Sequence, residues 1–550
     1  MFLKIRGVWV VFYIEKGRIE AVLNKLIPFL LIVAVVLFIY YQISYLFAGT
    51  GVYFIEPDAY QYYLFANLSI QHHTLNVSNP YLAYPVSGFF EHSGLYQMPV
   101  FLYYAIPSIP LIWDFRIIYI MFIICIYAFT LLIARKILIH TPIHRYYRYF
   151  IYAMIFSSVL LMQYNEMIEW RGTTFIVAIQ LIMLWIASYF YTDNRLWKYI
   201  PFMGLALITL ALLSIWIWSA GFINLIMGIV LILGAILYRY VFKPHQGIWR
   251  YIAILTVFFG FALLLFNGFI DAIILQILAP TGYTFCSNNI LALGEVMCLN
   301  NNNGLMVVVM DLIFMALAIT MLFGKGVFTN DIAKYEYYLF SIFILLIVQL
   351  PLALVYLRLI SLIAPYLSIM FGLGLVSLFT YFSRQGTSVI VRSLVIAGIL
   401  VGSFGGSYLF FQSSLYLYSQ SSPLGLQQMG TYLSSNVPAN STIFAYYGYG
   451  DYIETVGHQK VYADTIQLEN SSRITLFDSY MNETTYLFCN KLKGINPSVD
   501  YVMLSTYQKN ITLFVNDSNN SVALNPANLS SSCLAPVYNA SGFYLYKFSP

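Results

Sequence analysis

The run Glu56-Pro57-Asp58-Ala59-Tyr60-Gln61-Tyr62-Tyr63 follows the first long apolar stretch and sets acids among aromatics. An ionised carboxylate beside a membrane span is costly to place. Asp58 therefore serves either as the N-cap of an interfacial helix beginning near Ala59, or in chemistry. Further on, Tyr164-Asn165-Glu166-Met167-Ile168-Glu169-Trp170-Arg171 places two acids and an arginine between apolar stretches. These residues can form a salt-bridged cap. With Asp58, Glu166 or Glu169 can instead complete an oxygen-ligand site for Mg2+ or Mn2+, hard cations that suit a diphosphate leaving group. Glu295 is the only acid in the polar stretch 277–304, where it either solvates the loop or does chemistry. Arg358 stands in the otherwise apolar Val355-Tyr356-Leu357-Arg358-Leu359-Ile360. It either snorkels to headgroups or grips an anion, and a guanidinium pairs bidentately with a lipid-linked phosphate.

Composition excludes a soluble globule. Of 550 residues, 60% are hydrophobic and 9% charged, where soluble domains carry roughly a quarter charged residues. Lys and Arg exceed Asp and Glu by only 27 to 22, which gives no reason to expect a nucleic-acid partner. The chain has no Gly-rich phosphate loop, Cys/His zinc spacing, Ser/His/Asp arrangement or internal repeat.

The elements that must position these acids are membrane spans. Apolar runs of about 18 residues fall near 26–47, 115–134, 149–163, 174–191, 199–217, 221–240, 251–276, 305–324, 338–356, 359–381 and 393–412. No small-residue cleavage site follows the first run, so it is expected to remain as a span. The basic groups Arg135-Lys136, Arg195 with Lys198, Arg239 with Lys243, and Arg384 with Arg392 share one side, which the positive-inside rule makes cytoplasmic along with the N-terminus. The other side carries the loops 48–114, 164–173 and 277–304, and everything after about 413. The expected fold is a polytopic α-helical membrane protein of about 11–13 transmembrane helices, with residues 1–412 as a multi-span catalytic domain. Residues 413–550 are expected to form an extracytoplasmic α/β domain, because they are rich in Ser, Asn, Thr and Tyr and hold alternating runs such as Phe543-Tyr544-Leu545-Tyr546-Lys547-Phe548.

Two independent features agree with this sidedness. All ten Asn-X-Ser/Thr acceptor sequences, from Asn67 to Asn539, fall in segments assigned outside. The cysteines do likewise: Cys286 and Cys298 share an outer loop, Cys489 and Cys533 share the tail, and Cys125 sits alone in a span. An oxidising compartment favours two disulfides over free thiols.

In this order and on this face, the motifs resemble the catalytic subunit of oligosaccharyltransferase, in the archaeal and eukaryotic branch of the C superfamily of membrane glycosyltransferases. Asp58 matches the family's first acidic motif, Glu295 with Val307-Val308-Val309-Met310-Asp311-Leu312 its loop glutamate and following helix, and Leu357-Arg358-Leu359-Ile360-Ser361-Leu362 its arginine helix. Tyr446-Tyr447-Gly448-Tyr449-Gly450-Asp451-Tyr452-Ile453 lines up with the family's WWDYGYWI segment, and the likeness continues through Gly457-His458-Gln459-Lys460-Val461-Tyr462 and Val499-Asp500-Tyr501-Val502-Met503. Two departures stand out. Gly448 replaces the carboxylate that reads the Ser or Thr of an acceptor sequon, and Trp170-Arg171-Gly172-Thr173-Thr174-Phe175 has Thr173 where relatives have Asp.

The resemblance implies transfer of a glycan from a dolichyl-type polyprenyl phosphate or diphosphate carrier to asparagine of an acceptor polypeptide. Asp58 and Glu295 would be catalytic, Asp58 with Glu166 or Glu169 would hold Mn2+ or Mg2+, and Arg358 would bind the lipid phosphate. Tyr446, Tyr447, Gly448 and Tyr449 would form the acceptor-recognition pocket. Two other expectations stay open: a C-superfamily enzyme building lipid or surface glycans from a polyprenyl-phosphate sugar, and a transporter or non-catalytic membrane protein.

Overall fold

In the computed structural model of this chain, the described residues are 2–5, 8–11, 57–75, 77, 79–81, 93–139, 148–156, 172–192, 196–218, 221–237, 342, 360–384, 423–462, 485–495, 498–505, 513–515, 522–524 and 533–549. Phe2–Ile5 (β1) and Val8–Val11 (β2) pair antiparallel, where only a basic lead into the first span was expected.

The loop 48–114 contains two helices, α1 (Pro57–His72) and α2 (Ser93–Ala105). Pro57 suits a first helical position because its missing N–H would have no intrahelical partner there. Asp58 therefore lies within the first turn, a correction to its reading as a cap ahead of Ala59. Nor does α1 lie flat at an interface: Ala59, Tyr60, Tyr62, Leu64, Phe65, Ala66 and Leu68 are all buried.

Helix α3 runs from Leu111 to Leu138, starting directly after Pro110 and four residues before the expected span, so it takes in Asp114. Residues 148–156 are helical, and α4 (Gly172–Thr192) follows. A 3-10 turn, Leu196–Tyr199, leads into α5 (Ile200–Ile217), which is succeeded by α6 (Phe222–Leu237) and α7 (Ile360–Arg384). Among the described residues three helices are long and apolar enough to cross a membrane: Leu111–Leu138, Gly172–Tyr189 and Leu196–Ile217. Large apolar side chains such as Met121, Phe202 and Leu205 are exposed on them, as lipid contact requires. The expected spans near 26–47, 251–276, 305–324 and 393–412 lie outside the described residues, as does 338–356 apart from Ile342.

Buried amides and hydroxyls tie these helices together. Asn224 Nδ2 donates to the Ile176 carbonyl at 3.1 Å and to Ser214 Oγ at 2.8 Å, joining α6 to α4 and α5. Tyr366 donates to Gln180 Oε1 at 3.1 Å, joining α7 to α4. Gly172 opens α4 beneath the Trp218 ring, where an added Cβ would lie 2.4 Å from the ring.

The C-terminal part is built on a five-stranded sheet. Its elements are α8 (Pro423–Asn436), β3 (Thr442–Phe444), α9 (Tyr447–Thr455), β4 (Lys460–Val461), α10 (Thr485–Lys493), β5 (Tyr501–Ser505), β6 (Leu513–Val515), β7 (Val522–Leu524), β8 (Leu534–Ala540) and β9 (Phe543–Phe548). The order is β4-β3-β5-β9-β8, with β3 parallel to β4 and β5 and the rest antiparallel; β6 and β7 form a separate hairpin. This is the mixed α/β arrangement that the alternating runs implied. Gln459 Nε2 donates to the carbonyls of Leu433 and Val437 at 3.2 and 3.3 Å, closing the C-terminal end of α8.

Cys489 on α10 and Cys533 ahead of β8 form a disulfide with Cα atoms 6.2 Å apart, as the tail pairing anticipated. Cys286 and Cys298 lie outside the described residues. The Cys489–Cys533 bond closes a sequence separation of 44, so by loop entropy its loss costs about 2–4 kcal/mol. Cys489→Ser should lower the thermal midpoint of the purified chain. An unchanged midpoint would mean that the crosslink does not stabilise the fold.

Candidate functional site

Helix α1 joins the two parts of the molecule. Its burial leaves only the stripe of Tyr63, Asn67 and Ile70 half-exposed, because partners cover the rest of it. On one side Tyr60 sets its ring edge-on to Tyr452 of α9 at 4.8 Å, and the Thr455 hydroxyl donates to the Tyr60 carbonyl at 3.0 Å. Towards the bundle, Tyr63 meets Phe115 of α3 at 5.9 Å and Phe65 meets Tyr96 of α2 at 5.7 Å. Burial pushes the Tyr96 phenol above its ordinary pKa, and its OH donates to the Leu75 carbonyl at 2.7 Å.

The chain leaving α1 fastens the junction a second time. Asn79 folds back on itself, its Oδ1 accepting from Tyr81 N–H at 2.9 Å. Its Nδ2 donates to buried Glu454 of α9 at 2.8 Å. The Tyr81 carbonyl then accepts from Val461 N–H at 2.9 Å, so this segment covers β4, the edge strand of the sheet. The Tyr81 ring lies 5.9 Å from His458.

The Tyr446–Tyr449 segment opens α9 at this junction. Tyr446 is extended (φ −59°, ψ 134°), and its carbonyl accepts from Tyr449 N–H at 2.9 Å as the helix begins. Tyr446 and Tyr449 are half-buried with rings 5.8 Å apart, and Tyr449 also meets Phe543 at 5.2 Å. Tyr447 and Gly448 are the first two residues of the helix. One turn on, Asp451 does not present a carboxylate in place of the one Gly448 lacks, because it is fully buried.

The first turn of α3 lies beside α1, where Phe115 meets Tyr63, and further along α3 Tyr119 and Phe122 meet Phe175 at the start of α4. Asp114 on α3 is fully buried, and neither carboxylate oxygen accepts a hydrogen bond. Such a carboxylate has the oxygen-donor chemistry that a hard divalent cation takes, so this end of the bundle fits the expected ion. Thr173 and Thr174 at the start of α4 are buried as well.

The structure thus seats the helix of Asp58 on α9, the helix that the Tyr446–Tyr449 segment opens, through Tyr452 and Thr455. The Asp58 and Tyr447 side chains, together with Glu166, Glu169, Glu295 and Arg358, lie outside what is described. No group of three His, Cys, Asp or Glu side chains that could hold a metal occurs among the described residues. Sequence reading missed Asn79, Glu454 and Asp114. The first two look like ordinary loop and helix polar residues, and Asp114 was taken as the end of a loop.

No family model matches the chain, and no curated protein does. Solved structures that it resembles are oligosaccharyltransferases from Archaeoglobus fulgidus. It is 12% identical to AglB in complex with an inhibitory peptide and a dolichol-phosphate, at TM-score 0.43, over 85% of this chain and 69% of that one. For the enzyme complexed with Zn and sulfate the values are 13%, 0.45, 82% and 64%. For the enzyme tethered to an acceptor peptide containing the NVT sequon they are 13%, 0.40, 82% and 65%. The chain spans about two thirds of the length of these structures.

Glu454→Gln keeps an acceptor for Asn79 and should cost less than about 1 kcal/mol, whereas Glu454→Leu removes the acceptor from half-buried Asn79 and should cost more, about 1–3 kcal/mol. Chemical unfolding of the two variants compares them. Equal losses would mean that this hydrogen bond does not hold the junction.

Proposed function

We propose that the chain is a membrane glycosyltransferase. It transfers a glycan from a polyprenyl phosphate or diphosphate carrier to the side-chain amide of asparagine in Asn-X-Ser/Thr sequons of an acceptor polypeptide. The observation that carries this reading is the seating of α1, with Asp58 in its first turn, on α9, which opens with the Tyr446–Tyr449 segment. Helices from distant parts of the chain, each opening on one of the two motifs, pack together there, as an active site built across a membrane domain and an outer domain would require. In this reading residues 1–412 form a multi-span domain with a cytoplasmic N-terminus, and 413–550 form an extracytoplasmic domain.

The difficulty of the reaction lies in the nucleophile. An amide nitrogen shares its lone pair with the carbonyl, so it attacks only when that conjugation is loosened and the nitrogen is held in line with the anomeric carbon. The carboxylates of Asp58 and Glu295 do this by accepting the two amide hydrogens. The new C–N bond forms as the bond from the sugar to the carrier phosphate breaks, with inversion. Arg358 grips the departing phosphate bidentately. Asp58 with Glu166 or Glu169 would hold Mn2+ or Mg2+, which would supply further charge neutralisation there. Tyr446, Tyr447, Gly448 and Tyr449 line the acceptor pocket.

One observation favours a second reading, a C-superfamily enzyme that builds lipid or surface glycans from a polyprenyl-phosphate sugar. Gly448 carries no carboxylate to read a sequon hydroxyl, and Asp451 is too deeply buried to stand in.

Purified chain given lipid-linked glycan and a sequon peptide should yield glycopeptide by mass spectrometry; sugar transferred only to lipid selects the second reading. Asp58→Ala and Glu295→Ala should each lower turnover at least about 100-fold, and unchanged turnover in both removes them from the site. Arg358→Ala should raise the KM of the lipid donor more than that of the peptide. Gly448→Asp should increase sequon-dependent transfer; no gain means that this turn does not read Ser or Thr.

A further inference from the structure

From Ser93 to Trp113 the sequence holds no Asp, Glu, Lys, Arg or His. A water-facing stretch of that length would carry about five charges at the usual quarter of residues. Helix α2 fills the first part of it. With 13 residues α2 rises only about 20 Å, too short to cross a hydrocarbon core of about 30 Å. Yet the stretch is not folded away from its surroundings. Phe101 and Tyr104 on α2 are each 49% exposed, Ile106 in the turn that follows is 43% exposed, and Trp113 in the first turn of α3 is 40% exposed.

The contacts of α2 place this apolar patch at one end of the bundle. Gly94 touches the end of α5, where an added Cβ would lie 2.5 Å from the Ile217 Cα. Gln97 Oε1 accepts from Trp216 Nε1 at 3.1 Å, and the Phe101 ring stacks on Trp216 at 6.2 Å. Leu212 and Leu213, four and three residues before Trp216 and so on its side of α5, are exposed.

Helix α3 marks the level of the bilayer at both ends. Lys136 donates to Ser188 Oγ at 3.1 Å and lies over the Tyr189 ring at 3.4 Å, while Arg116 lies over the Trp113 ring at 5.2 Å. From Trp113 to Lys136 the helix rises about 35 Å, close to the thickness of a hydrocarbon core, with a basic and an aromatic side chain paired at each boundary. Exposed Met121 and Ile124 lie between those boundaries. Tyr104 has the form of an interfacial side chain, its ring exposed and its hydroxyl 3.3 Å from Nδ1 of exposed His73.

We propose that α2 and the turn after it are a lipid anchor, with Phe101, Tyr104, Ile106 and Trp113 inserted into the bilayer boundary at this end of α3 and α5. Lipid is the occupant because the patch runs on without a break into the exposed apolar faces of two helices long enough to span, and because its rings include the Tyr and Trp that bilayer boundaries collect. The Phe65–Tyr96 contact and the bond from the Tyr96 hydroxyl to the Leu75 carbonyl carry the anchoring to α1, whose height relative to the bilayer is thereby fixed. The proposal concerns the membrane alone and stands apart from the sugar transfer proposed above.

The test is the depth of nitroxide labels in the full chain reconstituted in lipid nanodiscs. Tyr104→Cys and Ile106→Cys are each made in a chain carrying Cys125→Ala, Cys286→Ala and Cys298→Ala, with Ile124→Cys as the hydrocarbon reference and Ala439→Cys, at an exposed turn, as the water reference. At 104 and 106 the ratio of collisions with oxygen to collisions with a water-soluble nickel chelate should lie severalfold above that at 439 and nearer to that at 124. A ratio equal to that at 439 leaves the face in water and overturns the proposal. Protection from both reagents means that protein covers the face, a second copy or another partner, and overturns it as well. The parent chain gives a reading without any substitution: a diazirine carried on a lipid near its headgroup should leave adducts within 101–113 on mass-spectrometric mapping, and their absence there overturns the anchor.

Discussion

The packing of α1 constrains every other part of the molecule around it. A helix buried along Ala59, Tyr60, Tyr62, Leu64, Phe65, Ala66 and Leu68 cannot stand on one surface. At roughly 1.5–3 kcal/mol for each large apolar side chain withdrawn from water, it needs neighbours on several sides at once. The bundle supplies α2 and α3, and the C-terminal sheet supplies α9. That requirement seats α1 on the helix that the Tyr446–Tyr449 turn opens. The hydrogen bonds from Asn79 and Thr455 to α9 and α1 then fix the orientation, which apolar packing alone does not specify.

Buried polar groups divide into two kinds. Asn224, Tyr366 and Gln459 donate to neighbouring helices or to the carbonyls that end one, and they act as fasteners. In a low-dielectric interior such bonds are costly to leave unmade, so the residues that make them specify which helices meet. Asp114 is of the other kind: charged in its ordinary state, fully buried, and without a donor at either oxygen. It fastens nothing, and it lies in the first turn of α3, where Phe115 meets Tyr63 of α1.

The opening of α9 bears on what the molecule can recognise. Tyr446 and Tyr449 form an aromatic wall braced by Phe543 of the sheet, and Gly448 leaves the first helical turn without a side chain. The nearest acid, Asp451, faces inward with Tyr452 and Ile453 and is closed to solvent. The shape of the turn is kept by its helical start and its glycine. Its hydrogen-bonding capacity toward a ligand hydroxyl is reduced, because backbone groups remain and a carboxylate does not.

The sequence alone determined the features that local chemistry dictates. Unbroken apolar runs must become buried or lipid-facing helices, so α4, α5 and α7 lie within a few residues of the stretches read as spans. Alternating residues in the tail became β4 and β9, and paired cysteines in a polar segment became the Cys489–Cys533 bond. Only the tertiary structure decided the rest. Whether Asp58 caps a helix or lies in its first turn depends on where α1 must begin to reach α9. Asp114 passed as loop because four more residues of helix are stable only when Phe115 has Tyr63 to pack against. Asn79 and Glu454 carry no local signal, since a hydrogen bond between residues at opposite ends of a chain arises from the packing that brings them within reach.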